Sequence, residues 1–349
     1  MGTENAGGEF EVIDLKFPDV APQPERWHLS QPSDGGKRET SDQDVDMMEG
    51  RQRGSGSKIA IMSGLEFSNS NASYAAELSL LLEFLLGEAF DPATQGELAQ
   101  ISRLVIAGNS VGADSKPAQD EPADKKFHKK YGYDSSSYNA VPSQLLDEFL
   151  AEVLATMPVT LLPGPLDPAN TSFPQQPIHP AMFPQSRAYA AADTAAPGWF
   201  DCVTNPWEAE VEGWRMLGTS GQNIDDIFKY LDSDDRLGMM EATCRWRCSA
   251  PTAPDTLCRL SPFYNFTQMR RVLTPTTGAY PFQDDDPFVM DSCPHLYFVG
   301  GQPEFSTKII QGPDGQMVRL VTVPSFAKTR ELLLVDAETL DISKVKIAL

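Results

Sequence analysis

The chain has 349 residues, 41% of them hydrophobic, which is enough to bury one large core or two modest ones. Lys and Arg number 28 against 49 Asp and Glu, a formal charge of −21 that repels phosphates and disfavours a free-standing nucleic-acid-binding role. No run approaches the roughly 20 apolar residues of a membrane span, and no signal peptide is visible in the opening residues.

In chain order, residues 1–27 hold one apolar piece, Phe10–Phe17, followed by a Pro-rich run through Pro24. It alternates only in part, so at most one strand is expected there. Residues 28–57 are polar with almost nothing to bury and are expected to be a disordered linker. Lys58–Gly64 then reads as a buried strand ending in glycine. Leu78, Leu81, Leu82, Leu85 and Leu86 share one face of a predicted helix. Leu104–Gly108 is a second buried strand, followed by a polar loop to about Ala140. A helix carrying Leu145, Leu146, Phe149, Leu150 and Val153 follows, and Val159–Leu162 is a third strand.

That alternation predicts parallel strands with helical crossovers. Residues 163–184 contain seven prolines and are expected to be extended. Trp214–Leu217 is a further strand, and Asn223 is expected to cap a helix with acids in its first turn. From His295 onward come short β-rich runs: 295–299, 308–310, 317–323, 331–335 and 342–347. Turns such as Gly312–Gly315 separate them. The whole predicts an α/β first half joined to antiparallel strands, an α+β layered sheet structure.

The five cysteines, Cys202, Cys244, Cys248, Cys258 and Cys293, form neither a CxxC pair nor a disulfide framework. Reduced structural thiols in an intracellular protein are expected. The short basic clusters, Lys125–Lys130 and Arg270–Arg271, read as solvated loop charge, and so does the acidic run Asp284–Asp286. There is no Walker A sequence, GxSxG elbow or HExxH, and Gly218–Gly221 lacks the lysine of a phosphate loop.

In parallel sheets ligands bind beyond the carboxyl ends of the strands, and here each of the first three strands ends in a glycine-containing turn: SGLEF, AGNSVG and LPGPLDP. With GTSGQN and GGQP further on, this order of turns resembles the calcineurin-like metallophosphoesterase family. Active members carry Asp-x-His, Gly-Asp, Gly-Asn-His-Asp or -Glu, a lone His and Gly-His-x-His, a cage for two divalent metals that activate a water. Placed turn by turn, the resemblance puts Gly64 and Glu66 at the first aspartate and histidine positions, and Asn109 at the bridging aspartate. Pro165 and Leu166 stand at the Asn and His positions, Ser220 near the lone His, and Gly301 and Pro303 in the last turn. Asp167 alone survives. The four histidines, His28, His128, His179 and His295, offer no replacement cage. No catalytic residue, metal or cofactor is therefore expected, beyond an adventitious cation at Glu66, Asn109 and Asp167. The alternative is an active metallophosphoesterase with an atypical metal site.

Within that superfamily, LVIAGNSV, LPGPLDPANTSFPQQPIHPAMFP, LGTSGQN, PTAPDTL and the stretch from Asp284 to Phe326 are similar to the B-subunits of replicative DNA polymerases, the delta type in particular. The likeness covers nearly all of 58–349. It implies a phosphoesterase β-sandwich flanked by helices and paired with an oligonucleotide-binding (OB) domain, of which residues 1–27 would be the remnant. It also implies a nuclear, non-catalytic scaffold. Its partners would be the polymerase's catalytic subunit, through a C-terminal cysteine-rich metal domain, and a third subunit. The sliding clamp would be reached only indirectly, and DNA only through the complex. Two departures from the family pattern are expected: a truncated OB domain, and a disordered insertion at 259–278.

Overall fold

The structure, a computed structural model, describes residues 2–5, 7–26, 57–68, 72–88, 95–96, 98–112, 139–170, 172–191, 198–253 and 286–347. Outside them fall the expected linker but for residue 57, the expected insertion 259–278, both basic clusters, Asp284 and Asp285, Cys258, His28 and His128.

Near the start, β1 (Gly2–Glu4) and β2 (Phe10–Val12) pair antiparallel. A single strand over 10–17 was expected; the ladder instead ends at Val12, and a partner forms from residues with no apolar pattern. Phe10, Val12, Ile13, Leu15 and Phe17 are each more than half exposed.

The main body is two facing sheets. In the six-stranded sheet, β3 (Lys58–Met62), β4 (Ile101–Ala107), β5 (Val159–Leu162) and β6 (Phe200–Cys202) run parallel. Helix α1 (Ala72–Leu86) crosses from β3 to β4, and α2 (Val141–Val153) from β4 to β5. The five-stranded sheet contains β7 (Trp207–Val211), β8 (Trp214–Thr219), β9 (Leu296–Gln302), β10 (Ser306–Gln311) and β11 (Met317–Pro324), in the order β10-β11-β9-β8-β7. The chain then returns to the first sheet with β12 (Glu331–Asp336) and β13 (Ile342–Lys346), giving the order β13-β12-β3-β4-β5-β6.

Period two explains why these strands read as unbroken apolar runs. Alternate side chains leave a strand on opposite faces, and here both faces are covered. Ala60, Met62, Leu104 and Ile106 point to the helix side, with Leu81, Leu85, Leu146, Phe149 and Leu150. Ile59, Ile61, Val105 and Ala107 point the other way, onto Met216, Leu296, Phe298, Val321 and Val323 of the second sheet. Beyond that sheet, Tyr297, Val299 and Leu320 meet Ile224, Ile227, Met240 and Cys244 on two further helices, α3 (Gln222–Ile227) and α4 (Arg236–Trp246). The molecule is thus four layers: helices, sheet, sheet, helices. A short helix, α5 (Phe326–Thr329), links β11 to β12.

Four expectations are corrected. The C-terminal strands are not simply antiparallel: β9 runs parallel to β8, because α3 and α4 form a crossover between them, and parallel to β11, because β10 takes the sheet edge and β11 returns antiparallel to it beside β9. Helix α4 went unforeseen because its buried face is Met240, Thr243 and Cys244, too weakly apolar to register. Asn223 does not cap α3. Gly221 holds that position at φ +108°, while Asn223 turns inward to donate to the Ser249 carbonyl (2.7 Å) and the Tyr297 hydroxyl (3.0 Å). The proline-rich segment is extended only in part. Pro180–Met182 forms a 3₁₀ turn, for which a proline at the first position is pre-set.

The four described cysteines are free, and burial pushes the Cys202 thiol up to about 12 and Cys244 higher still, so both are poor nucleophiles.

Residues 18–26 run past the starts of β9 and β11, where Gln23 Nε2 donates to the Pro294 carbonyl (3.1 Å) and the Met317 carbonyl (2.7 Å). Val20 and Ala21 are buried in the α3–α4 core. Arg247 donates through Nε to the Asp19 carbonyl (2.8 Å) and through Nη2 to the Val20 carbonyl (3.1 Å). Arg245 pairs with Asp19 (2.6 Å), and Arg26 donates to the Ala337 carbonyl (2.8 Å) while its guanidinium lies 4.2 Å from the Trp214 ring centroid. Arg247→Ala removes charge-assisted bonds worth about 1.5 kcal/mol or more. We expect trypsin cleavage after Arg26 to become about tenfold faster, as local opening follows the lost free energy. Digestion followed by mass spectrometry reads this; an unchanged rate would show that apolar burial alone secures the segment.

Candidate functional site

All parallel strands of both sheets end at the same edge, and their turns converge there. The Gly64 N–H donates to the Gly108 carbonyl (2.9 Å) and the Glu66 N–H to the Asn109 carbonyl (3.0 Å), which ties the first turn to the second. The Leu166 N–H donates to Asn109 Oδ1 (3.1 Å), which brings in the third. Ser63 Oγ donates to the Ala107 carbonyl (2.6 Å) and accepts from the Gly301 N–H (2.8 Å), so one hydroxyl joins β3, β4 and the end of β9 across the two sheets. Ser220 lies against Gly108.

The approach is close enough to demand glycine at two points. Gly108 has φ +79°, and a Cβ there would lie 2.2 Å from Ser220 Cβ and 3.0 Å from Gly164 Cα. A Cβ on Gly164 would lie 2.3 Å from the Asn109 backbone nitrogen. Two non-glycine residues, Glu66 (φ +48°) and Asn109 (φ +53°), also hold left-handed backbone, which costs about 1–2 kcal/mol for an ordinary residue and less for Asn.

The structure therefore brings together Gly64, Glu66, Asn109, Pro165, Leu166, Asp167, Ser220 and Gly301. Pro303, next along the last turn, is exposed. What these residues offer is poor in metal-ligating chemistry. The carboxylate of Glu66 accepts from Ser325 Oγ (3.2 Å), and Asn109 is neutral.

Asp167 is buried, with Oδ1 accepting from the Val111 N–H (2.8 Å) and Oδ2 from the Gly164 N–H (2.7 Å). Burial pushes its carboxyl up to about 7, against the pull of backbone N–H donors from Val111, Gly164, Asn109 and Ser110. It is an internal acceptor for two turns rather than a ligand facing solvent.

His179 caps the 3₁₀ turn by accepting from the Ala181 N–H (3.1 Å), and His295, before the opposite end of β9, accepts from the Arg215 N–H (3.2 Å). Burial lowers the His295 pKa, so it is held neutral. Among the described residues no group of three or more His, Cys, Asp and Glu is placed to hold a metal ion. The donor set does not fit a pair of divalent cations.

Sequence reasoning missed four residues at this edge: Ser63, Gln175, Asn205 and Gln222. All are buried and polar. Gln222 directly follows a turn glycine and Asn205 directly precedes a proline, and those neighbours were the available signals.

The molecule is thus a mixed α/β protein of two facing sheets, whose converging strand ends are knit together by backbone amides, neutral side chains and one buried acid. The model of the B-subunit family of DNA polymerases alpha and epsilon matches residues 59–307, and the chain belongs to that family. It is 34% identical over 340 residues to the Arabidopsis thaliana DNA polymerase delta small subunit, covering 97% of this chain and 64% of that one. It is 30% identical to the Saccharomyces cerevisiae DNA polymerase delta small subunit (99% and 64%) and 33% identical to the Drosophila melanogaster DNA polymerase delta subunit 2 (82% and 58%). The chain spans less than two thirds of the length of these relatives. Among the described residues no helix is long and apolar enough to cross a membrane.

Proposed function

We propose that the chain is a non-catalytic scaffold subunit of a delta-type replicative DNA polymerase, built on a calcineurin-like phosphoesterase body that has lost its metals. The carrying observation is that the strand-end turns keep a tightly closed geometry while the one buried carboxylate among them, Asp167, is spent on backbone N–H groups. A phosphoesterase needs the opposite, acids and imidazoles aimed into an open cleft. The subunit would hold the catalytic subunit's C-terminal cysteine-rich metal domain and a third subunit, and through it the sliding clamp, in the nucleus. A net charge of −21 suits a part that tethers without gripping DNA.

In this reading residues 58–349 are the phosphoesterase-like domain, 28–57 a linker and 259–278 an insertion. Residues 1–27 are the end of an OB domain, which would cover the exposed Phe10, Val12, Ile13, Leu15 and Phe17.

Two measurements test the proposal. Co-expression with the C-terminal domain of a delta-type catalytic subunit is expected to yield a complex that survives gel filtration; a well-folded chain that fails to bind would overturn it. The purified chain is expected to hydrolyse bis-p-nitrophenyl phosphate in Mn²⁺, Mg²⁺ or Zn²⁺ no faster than the metal alone. Turnover above that background would instead mark an atypical metallophosphoesterase.

A further inference from the structure

At the edge where the two sheets meet, Gln175, Asn205, Ser220 and Gln222 are all buried. Gln175 lies in the loop after β5, on the six-stranded sheet. Asn205 lies in the β6–β7 connection between the sheets, and Ser220 and Gln222 follow β8 on the five-stranded sheet. The backbones of Gln175 and Asn205 exchange a pair of hydrogen bonds (2.7 and 3.1 Å), so the two amides are presented side by side.

The protons can be followed round the cluster. Asn205 Nδ2 lies within hydrogen-bond distance of Gln175 Oε1 (2.8 Å), Gln222 Oε1 (3.0 Å) and Ser220 Oγ, and shares its two protons among these three acceptors. Ser220 Oγ passes its own proton to Gln222 Oε1 (2.6 Å), and Gln222 Nε2 donates to Gln175 Oε1 (2.7 Å). Asn205 Oδ1 accepts the Ser220 N–H (3.2 Å). Gln175 Nε2 donates outward to the Gly164 carbonyl (3.3 Å) and the Asn170 carbonyl (3.1 Å), reaching the turn that carries Pro165 and Leu166. Every side-chain oxygen has a donor. Exchanging any one amide for a carboxylate would set acceptor against acceptor in a dry site.

We infer that this closed amide–hydroxyl ring is a crosslink, beside that of Ser63, that holds the strand-end turns of the two sheets in register, and that no cation takes part in it. The ring is neutral, all four members are used, and it joins segments far apart in sequence. Water cannot compete for groups buried to this degree. It fixes the positions of the turns that carry Asn109, Pro165, Leu166 and Gly301. The inference concerns how the turns are held and does not rest on the proposed function.

Thermal unfolding of the whole chain tests it without reference to activity or partner capture. In excess chelator, and in Mn²⁺ or Mg²⁺, the midpoint of the parent is expected to be unchanged. Asn205→Asp keeps shape but removes the two protons shared among three acceptors, and is expected to lower the midpoint by about 8 °C or more. Should that variant not fold, Ser220→Ala and Gln222→Ala are the milder pair. Each is expected to lower the midpoint by a few degrees, and the double variant by clearly less than their sum, because one break already opens the ring. Three results would each overturn the inference: an Asn205→Asp midpoint within about 2 °C of the parent, strict additivity of the pair, or a chelator-induced fall.

Discussion

Gly108→Ala is expected to be among the most damaging single-methyl additions in the chain. Two costs combine at one atom. The φ of +79° is left-handed, which for a residue with a Cβ costs about 1–2 kcal/mol. The new methyl would also lie 2.2 Å from Ser220 Cβ and 3.0 Å from Gly164 Cα, and these neighbours have nowhere to go. Ser220 is held by Asn205 and Gln222, and Gly164 by Asp167. Overpacking of that kind adds about 1–3 kcal/mol. The sum, about 2–5 kcal/mol, corresponds to a fall of roughly 5–15 °C in a domain of this size. Gly87→Ala is the control. Its φ is +72°, but nothing lies within 4 Å of its Cβ position, so only the backbone cost remains. If the two variants lose equal stability by thermal and urea unfolding, the turns do not press on one another as the structure has them.

Most of the architecture could be read from the sequence because both faces of the central strands are buried. Ile59 and Ile61 serve one core and Ala60 and Met62 another, so Lys58–Met62 carries no polar interruption and ends where the sheet ends, at a glycine turn. The helices α1 and α2 were equally plain, since each has one leucine-rich face and one solvent face. The second sheet was harder to order. Nothing in Leu296–Gln302 says that its neighbours on both sides run parallel to it; on the β8 side that follows from the crossover through α4, whose buried face is carried by Met240, Thr243 and Cys244, and on the other from β10 taking the edge outside β11. Trp207–Val211 was not foreseen as a strand because it lies at the sheet edge, where Glu208 and Glu210 face solvent.

At the candidate site the turns could be located, but not what binds them together. Glycines mark a close approach without naming the partner: Gly108 gives no hint of Ser220, nor Gly164 of Asn109. Buried neutral amides are still less visible. Gln and Asn are ordinary surface residues, and only burial and mutual bonding distinguish Gln175 and Asn205 from the exposed Gln176 beside them. Position along the sequence carried the location of the site; proton accounting in three dimensions carried its chemistry.

The same accounting makes Asp167 the most informative acid in the chain. Asp167→Asn is expected to destabilise by about 2–4 kcal/mol, because each carboxylate oxygen accepts a different backbone N–H, from Val111 (2.8 Å) and Gly164 (2.7 Å). An amide has one acceptor, so its NH₂ must face the other donor, and a buried N–H is left unsatisfied. The size of that loss is expected to depend on pH in a definite direction. Burial raises the folded-state value from 3.8 to about 7, so between these limits folding takes up a proton. The resulting stabilisation is complete below about pH 4 and is lost as pH rises through 7. It amounts to as much as about 4 kcal/mol across the window, at 1.36 kcal/mol per pH unit. The amide of the variant cannot titrate, while every other carboxylate is common to both proteins and cancels in the difference. Urea unfolding of both at pH 5, 6, 7 and 8 is therefore expected to show the advantage of the parent shrinking as pH rises, then levelling. A constant advantage would mean that the backbone donors outweigh burial and keep Asp167 ionised throughout.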